Sequence, residues 1–216
     1  MLFSTTLPRR APRRLSHRPR QPEDCLDAGS SARLTDDAEA RGEEIIHLHE
    51  DTWHRKEDIV KARLLARLGR GTTRIYARKT KACAIDVEEA RAFLDEHHLW
   101  SSTNAKYAYG LHLNDTRVAV ATFTKRKLVK RSGMDPRRTH ELLRFCARRD
   151  TRVVGGITKL LKAFTRDRQV DDFVTNIDRD WGGEVRRTYP RRASRGNSSS
   201  TRAEGQFILD ARRGLF

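Results

Sequence analysis

Residues 107–124 constrain the fold more than any other stretch. Apolar residues alternate through Tyr107–Leu113, the turn formers Asn114 and Asp115 follow, and a second alternating run reaches Thr124. Two period-2 runs joined by such a pair predict an antiparallel hairpin. Val118, Val120 and Thr122 share one face of the second strand, and Ala119, Ala121 and Phe123 share the other.

Helical spacing occurs on both sides of the hairpin. Residues 54–68 place Val60, Leu64, Leu65 and Leu68 on one stripe, and Gly69 supplies a stop. Asp86 is a good N-cap, with Glu89 three residues later; Val87, Ala90, Phe93 and Leu94 form the buried face of a helix reaching about His97. Short strands are expected at 45–48, 74–78, 141–147, 173–177 and 207–209. Val153-Val154 leads into Gly155-Gly156, and a helix over 157–166 turns Leu160, Leu161 and Phe164 inward. The fold class is therefore mixed α/β, a largely antiparallel sheet flanked by helices.

The apolar residues, 37% of 216, concentrate between Ile45 and Ile177. That suits one domain with tails. Residues 1–22 hold six arginines and no acid, with Ser4, Thr5 and Thr6 among them. They read as a transit peptide for a mitochondrion or plastid, or equally as a disordered basic tail. Residues 23–43 read as a polar linker, and the Arg/Ser-rich stretch 186–216 as a mostly disordered tail. Cys25, Cys83 and Cys146 are widely spaced, which argues against a disulfide framework and a cysteine metal site. No apolar run is long enough to span a bilayer, so a soluble chain with no membrane partner is expected.

Lys and Arg total 45 against 29 acids, a net charge of +16. Such an excess attracts polyanions and favours a nucleic-acid partner, with DNA preferred; a generally arginine-rich composition is the plainer reading. Residues 125–138 hold seven basic side chains and one acid around Gly133 and Pro136. Arg126, Lys127, Lys130, Arg131, Arg137 and Arg138 are the candidate phosphate contacts in this basic loop.

The segment Arg152–Phe164 carries the chemistry best. Glycines between a strand and a helix let the backbone approach a ligand, and the free N–H groups of a helix start bind phosphate oxygens. Arg152, Gly155, Gly156 and Lys159 are the candidate anion loop, with the basic loop expected alongside; a tight turn without a ligand fits the spacing as well. It is neither a Walker A loop nor a dinucleotide fingerprint. Arg152-x-x-Gly155-x-Ile157 partly matches the pyrophosphate loop of GNAT-type acyltransferases. Asp178, ending a strand, could position a substrate or cap a turn. Glu141 and Arg144 are expected on opposite faces of one strand, with Cys146 on Arg144's face as a core residue. His97-His98 diverge on a helix, and His47 and His49 near Glu50 read as a solvated strand end rather than a metal site.

Several stretches in order resemble one family: IIHLHEDTW, KEDIVKARLLARLG, RIYARK, ARAFLDEHHLWSSTNAKYAYGLHL, VAVATFTK, ELLRFCARRDTRVVGGITKLLKAF and NIDRDWGGEV. They are similar to phage homing-endonuclease-like proteins, in which a Vsr-like nuclease precedes a C-terminal domain that itself resembles GNAT-fold proteins and the DNA-modification protein Mom. The resemblance spans about Ile45–Val185, with residues 44–79 as the nuclease tail and 80–185 as the GNAT-like domain. It implies a mixed sheet with a cofactor loop for acetyl-CoA or a related acyl-CoA at Gly155-Gly156 and an acid at Asp178; Asp178, Glu141 and Arg144 are the candidate catalytic residues, and the residue spacing gives no reason to expect a metal. The nuclease core expected before Ile45 is missing, and Arg186 stands where the family's general acid is expected. The function implied is acyl transfer or DNA modification by a nucleic-acid-associated protein. An inactive accessory binder, or a residual metal-dependent nuclease using His47, His49 and Glu50, is the alternative.

Overall fold

The computed structural model describes residues 2–8, 16–19, 30–41, 43–130, 133, 135–178 and 204–210. The chain divides into two compact units, one built mainly from Met1–Arg70 and the other mainly from Gly71–Asn176.

The first unit is a three-stranded antiparallel sheet with helices. β1 (Leu2–Pro8) pairs on one side with β2 (Ser16–Pro19) and on the other with β3 (Glu43–His49). The basic N-terminal segment expected as a tail thus contributes strands, because β3 offers it a full-length edge. The expected linker holds helix α1 (Ser30–Ala40), whose Thr35 and Ala38 are buried. Helix α2 (Glu50–Arg67) starts four residues before the expected helix, is kinked at Lys56, and buries Ile59 and Val60.

In the second unit, β4 (Thr73–Tyr76) leads through a 3-10 turn (Ala77–Lys79) to β5 (Lys81–Ile85) and helix α3 (Val87–His97). Asp86 caps α3 as expected, its carboxylate accepting from the Glu88 N–H at 2.8 Å. The hairpin follows as β6 (Tyr107–Leu113) and β7 (Thr116–Phe123). Asn114 and Asp115 both have positive φ, 46° and 65°, the type I′ geometry that matches strand twist. Then come β8 (Lys127–Val129), β9 (Arg137–Ala147), β10 (Thr151–Val154), helix α4 (Gly156–Asp167), β11 (Asp172–Asp178) and β12 (Glu204–Asp210). The sheet runs β12-β11-β9-β7-β6-β5, with β8 beside β9. β9 and β11 are parallel and the β5–β6, β6–β7, β7–β9 and β8–β9 ladders antiparallel, so the fold is mixed α/β with a largely antiparallel sheet between helices. The expected basic loop is partly strand: β8 and the start of β9 pair through Lys127–Thr139, Leu128–Arg138 and Val129–Arg137.

Both sheet faces are covered. Ala90, Phe93 and Leu94 of α3 pack on Ala108, Val120 and Cys146. On the other face Phe164 of α4 is fully buried; it stacks on Phe123 at 4.1 Å and meets Tyr109 and Phe173 edge-on at 5.3 and 5.8 Å. β4 pairs with β10 in parallel, Thr73 to Tyr76 against Thr151 to Val154. β4 thereby belongs with the second unit.

Candidate functional site

The parallel pair β9–β11 joined by α4 is the natural place to look, because ligands of open α/β sheets bind beyond the carboxyl ends of parallel strands. The β9–β11 ladder runs from Thr139/Asp172 only to Leu142/Thr175, where the Thr175 hydroxyl donates to the Leu142 carbonyl at 3.0 Å. Among the described residues, β9 continues to Ala147 paired to β7 alone. The register shifts at the same place: Phe123 opposes Leu142 but Thr122 opposes Arg144, so Leu143 is a bulge residue. A bulge adds a kink and extra twist, and it coincides with the point where β9 leaves β11.

The bulge corrects one expectation. Phe123 and Thr122 face opposite sides, so Leu142 and Arg144 do too, and Glu141 shares Arg144's face. Cys146 stays on that face and lies in the core. Glu141 is half-buried and accepts from the Asn176 amide at 3.4 Å. Arg144 donates to the Leu143 carbonyl at 2.9 Å and the Ser101 carbonyl at 3.4 Å. Asp178 is the last residue of β11; its side chain lies outside the described residues.

Gly155 sits before α4 with φ 76°, and no side chain caps the helix. Left-handed backbone there favours glycine. Gly155 is exposed, and a Cβ on it would meet only Ala77 Cβ, at 3.7 Å. Gly156 is buried for a different reason: a Cβ there would lie 3.0 Å from Val153 Cγ1 and 3.4 Å from Leu111 Cδ1. The second glycine thus permits close packing of helix on sheet, and the first leaves the helix start open. First-turn N–H groups have no acceptor inside a helix, so this end can receive an anion. Lys159, expected to help, donates its ammonium to the Ala77 carbonyl at 2.8 Å and also to the Thr80 carbonyl. It ties α4 to the 3-10 turn. Arg152 lies on β10, half-buried, three residues before Gly155.

The basic loop is not alongside. The C-terminal end of α4 lies over the start of β6: Tyr109 donates to Asp167 at 3.1 Å, and the Arg168 guanidinium sits 4.4 Å from the Tyr107 ring centroid. That is the β8 end of the sheet, since Thr124 bonds to Glu141 while β8 pairs with Arg137–Thr139. A 12-residue helix separates it from Gly155 by roughly 18 Å. Nor are all its cations available. Arg138 makes a bidentate bond to Asp171, 3.0 and 2.9 Å, which raises its pKa, and donates to Gln169 at 2.7 Å. Arg137 pairs with the buried Asp172 at 3.3 Å. Arg126, Lys127 and Lys130 are exposed; Arg131 lies outside the described residues.

His140, buried, and His112, half-buried, are titratable groups with no signal in the sequence, and His47, expected at a solvated strand end, is buried. The His140 Nδ1–H donates to the Thr124 carbonyl at 2.9 Å and the ring packs 4.9 Å from Phe164. Burial pushes its pKa down, and it does the same to His97 and His112. His98 accepts from the Trp100 N–H, and His47 meets Thr35 at 2.9 Å. Among the described residues no three His, Cys, Asp or Glu side chains gather as a metal site. None of the helices described is long and apolar enough to cross a membrane.

The sequence matches no protein-family model and no curated protein. Among solved structures, a chain from "Crystal structure of the NatC complex bound to Gag peptide and CoA" aligns with 61% of this chain and 98% of its own, at 9% identity and a TM-score of 0.42.

Proposed function

We propose that the second unit is a GNAT-like acyltransferase domain that binds an acyl-CoA and works on or beside nucleic acid, in a protein related to the phage homing-endonuclease-like family. One observation carries the reading: β9 parts from β11 at a bulge while the helix crossing between them opens on an uncapped, exposed glycine. The pantetheine arm of an acyl-CoA is an extended chain with amides, suited to the unshared edge of β9 from Leu143 to Ala147. Its pyrophosphate suits the first-turn amides of α4, beside the cation Arg152.

The residues present fit that group through backbone, without the lysine. Bound acyl-CoA supplies an acyl group activated as a thioester. Glu141 is the carboxylate assigned to take a proton from an attacking amine, and Arg144, on the same face and held by two carbonyls, keeps that charge in place. Proton removal of this kind is general base catalysis. Asp178 keeps its role as a positioning acid at the strand end. Exposed Arg126, Lys127 and Lys130 supply phosphate contacts for DNA.

An inactive binder is the second reading, favoured by the engagement of Lys159 with carbonyls. The residual nuclease draws no support from the described residues, where His47 is held by Thr35. Isothermal titration with acetyl-CoA decides. The acyltransferase reading expects saturable heat that disappears in Gly155→Asp, whose carboxylate would face the phosphates. No heat with the unaltered protein removes it.

A further inference from the structure

The ribbon formed by β4 and β10 flanks the diglycine turn where the basic loop was expected. Its register sets Arg74 beside Arg152 and Tyr76 beside Val154. Directly opposed residues of a parallel pair point the same way, and so do residues two apart on one strand. These four side chains therefore share one face. The other face, with Ile75 and Val153, turns inward; Val153 is the residue nearest to Gly156.

The outward face is largely exposed, with only Arg152 half-buried. Tyr76 is 40% exposed and Val154 38%, among the few large apolar side chains so open in the described residues. Arg74 is exposed, and the Arg78 guanidinium lies 5.1 Å from the Tyr76 ring centroid. Residues 73–80 and 151–156 contain Arg74, Arg78, Lys79 and Arg152 and no carboxylate.

An aromatic ring among cations suits a ligand that offers both an unpaired base and phosphates. We infer that this face binds single-stranded nucleic acid, with a base stacked on Tyr76 and the flanking phosphates on Arg74 and Arg78. Stacking on an aromatic ring needs an unpaired base, and cations that follow a backbone need a phosphate chain. A strand of four residues spans about 13 Å, room for two or three nucleotides. A duplex offers phosphates but hides its base faces. An anionic lipid surface or an acidic peptide offers charge without a base. The inference takes up the nucleic-acid half of the proposed function and stands without acyl transfer.

The test is fluorescence anisotropy with a labelled oligothymidylate of about 12 nucleotides, and with the same strand in duplex, across about 50–200 mM salt. The full chain should bind the single strand more tightly. Tyr76→Ala should weaken it about tenfold, within the range of one lost stacking contact, and Tyr76→Phe should restore it. Arg74→Gln with Arg78→Gln should flatten the salt dependence by about 0.7 in slope per phosphate contact. Circular dichroism and thermal midpoints establish that each variant is folded. Preference for the duplex, or equal binding by Tyr76→Ala, overturns the inference. If Lys127→Gln with Lys130→Gln weakens single-strand binding while the Tyr76 and Arg74/Arg78 variants leave it unchanged, the ribbon is wrong while the nucleic-acid reading stands. If no oligonucleotide binds, both fall.

Discussion

Phe164→Ala tests how the second unit is held together. The ring is fully buried, and burying a Phe removes roughly 200 Å² from water. At about 25 cal/mol per Å² that is an upper bound near 5 kcal/mol. Alanine keeps a minor part of it, while the cavity left among Phe123, Tyr109, Phe173 and His140 adds a cost of its own. The stacked contact with Phe123 adds about 1 kcal/mol. Because the area figure is an upper bound, the whole loss is expected within the roughly 3–5 kcal/mol of a buried Phe→Ala change, a large share of the total stability of an ordinary domain. For a unit of this size the midpoint should fall by roughly 20 °C. Urea denaturation measures the loss directly, with Phe164→Leu expected near 1–2 kcal/mol because most of the volume remains. A second readout is specific to the geometry. Water entering the cavity would rehydrate His140, so its depressed pKa should rise toward 6.5, visible in the titration of its ring proton by NMR. A loss below about 1.5 kcal/mol, or an unchanged His140 titration, refutes the reasoning.

Two further predictions rest on charge. His97, His112 and His140 all have pKa values lowered first by burial, so the folded chain binds fewer protons than the unfolded one just below pH 6.5. Stability should therefore be complete above about pH 7 and fall as pH drops through about 6.5; a midpoint that holds constant or rises between about pH 7.5 and 5.5 contradicts this. Arg138→Gln and Arg137→Gln should lower the thermal midpoint and leave the salt slope of duplex binding unchanged. Lys127→Gln should reverse that pattern, reducing the slope by about 0.9 for a lost phosphate contact.

What could be read from sequence was local. Asn114-Asp115 and the alternation beside it specify the hairpin because turn chemistry and strand period act within a few residues. Leu160, Leu161 and Phe164 mark α4 through helical spacing, and all three are fully buried. The bulge at Leu143 carries no glycine or proline to betray it, and it reverses the relation between Glu141 and Arg144. β5 is a five-residue strand, Lys81–Ile85, without clean alternation. The neutralisation of Arg137 and Arg138 depends on Asp171 and Asp172, more than thirty residues on. Their charge was visible in the sequence, and their pairing was not.

The parallel join of β4 to β10 decides where an excised fragment can start. A recombinant piece beginning at residue 81 would take away the Ala77 and Thr80 carbonyls that receive the Lys159 ammonium, together with the strand bordering β10. The cation would be left without those acceptors and the helix start without its brace. A piece beginning at Gly71 keeps all three, so a fragment meant to keep the helix start braced begins ahead of Thr73.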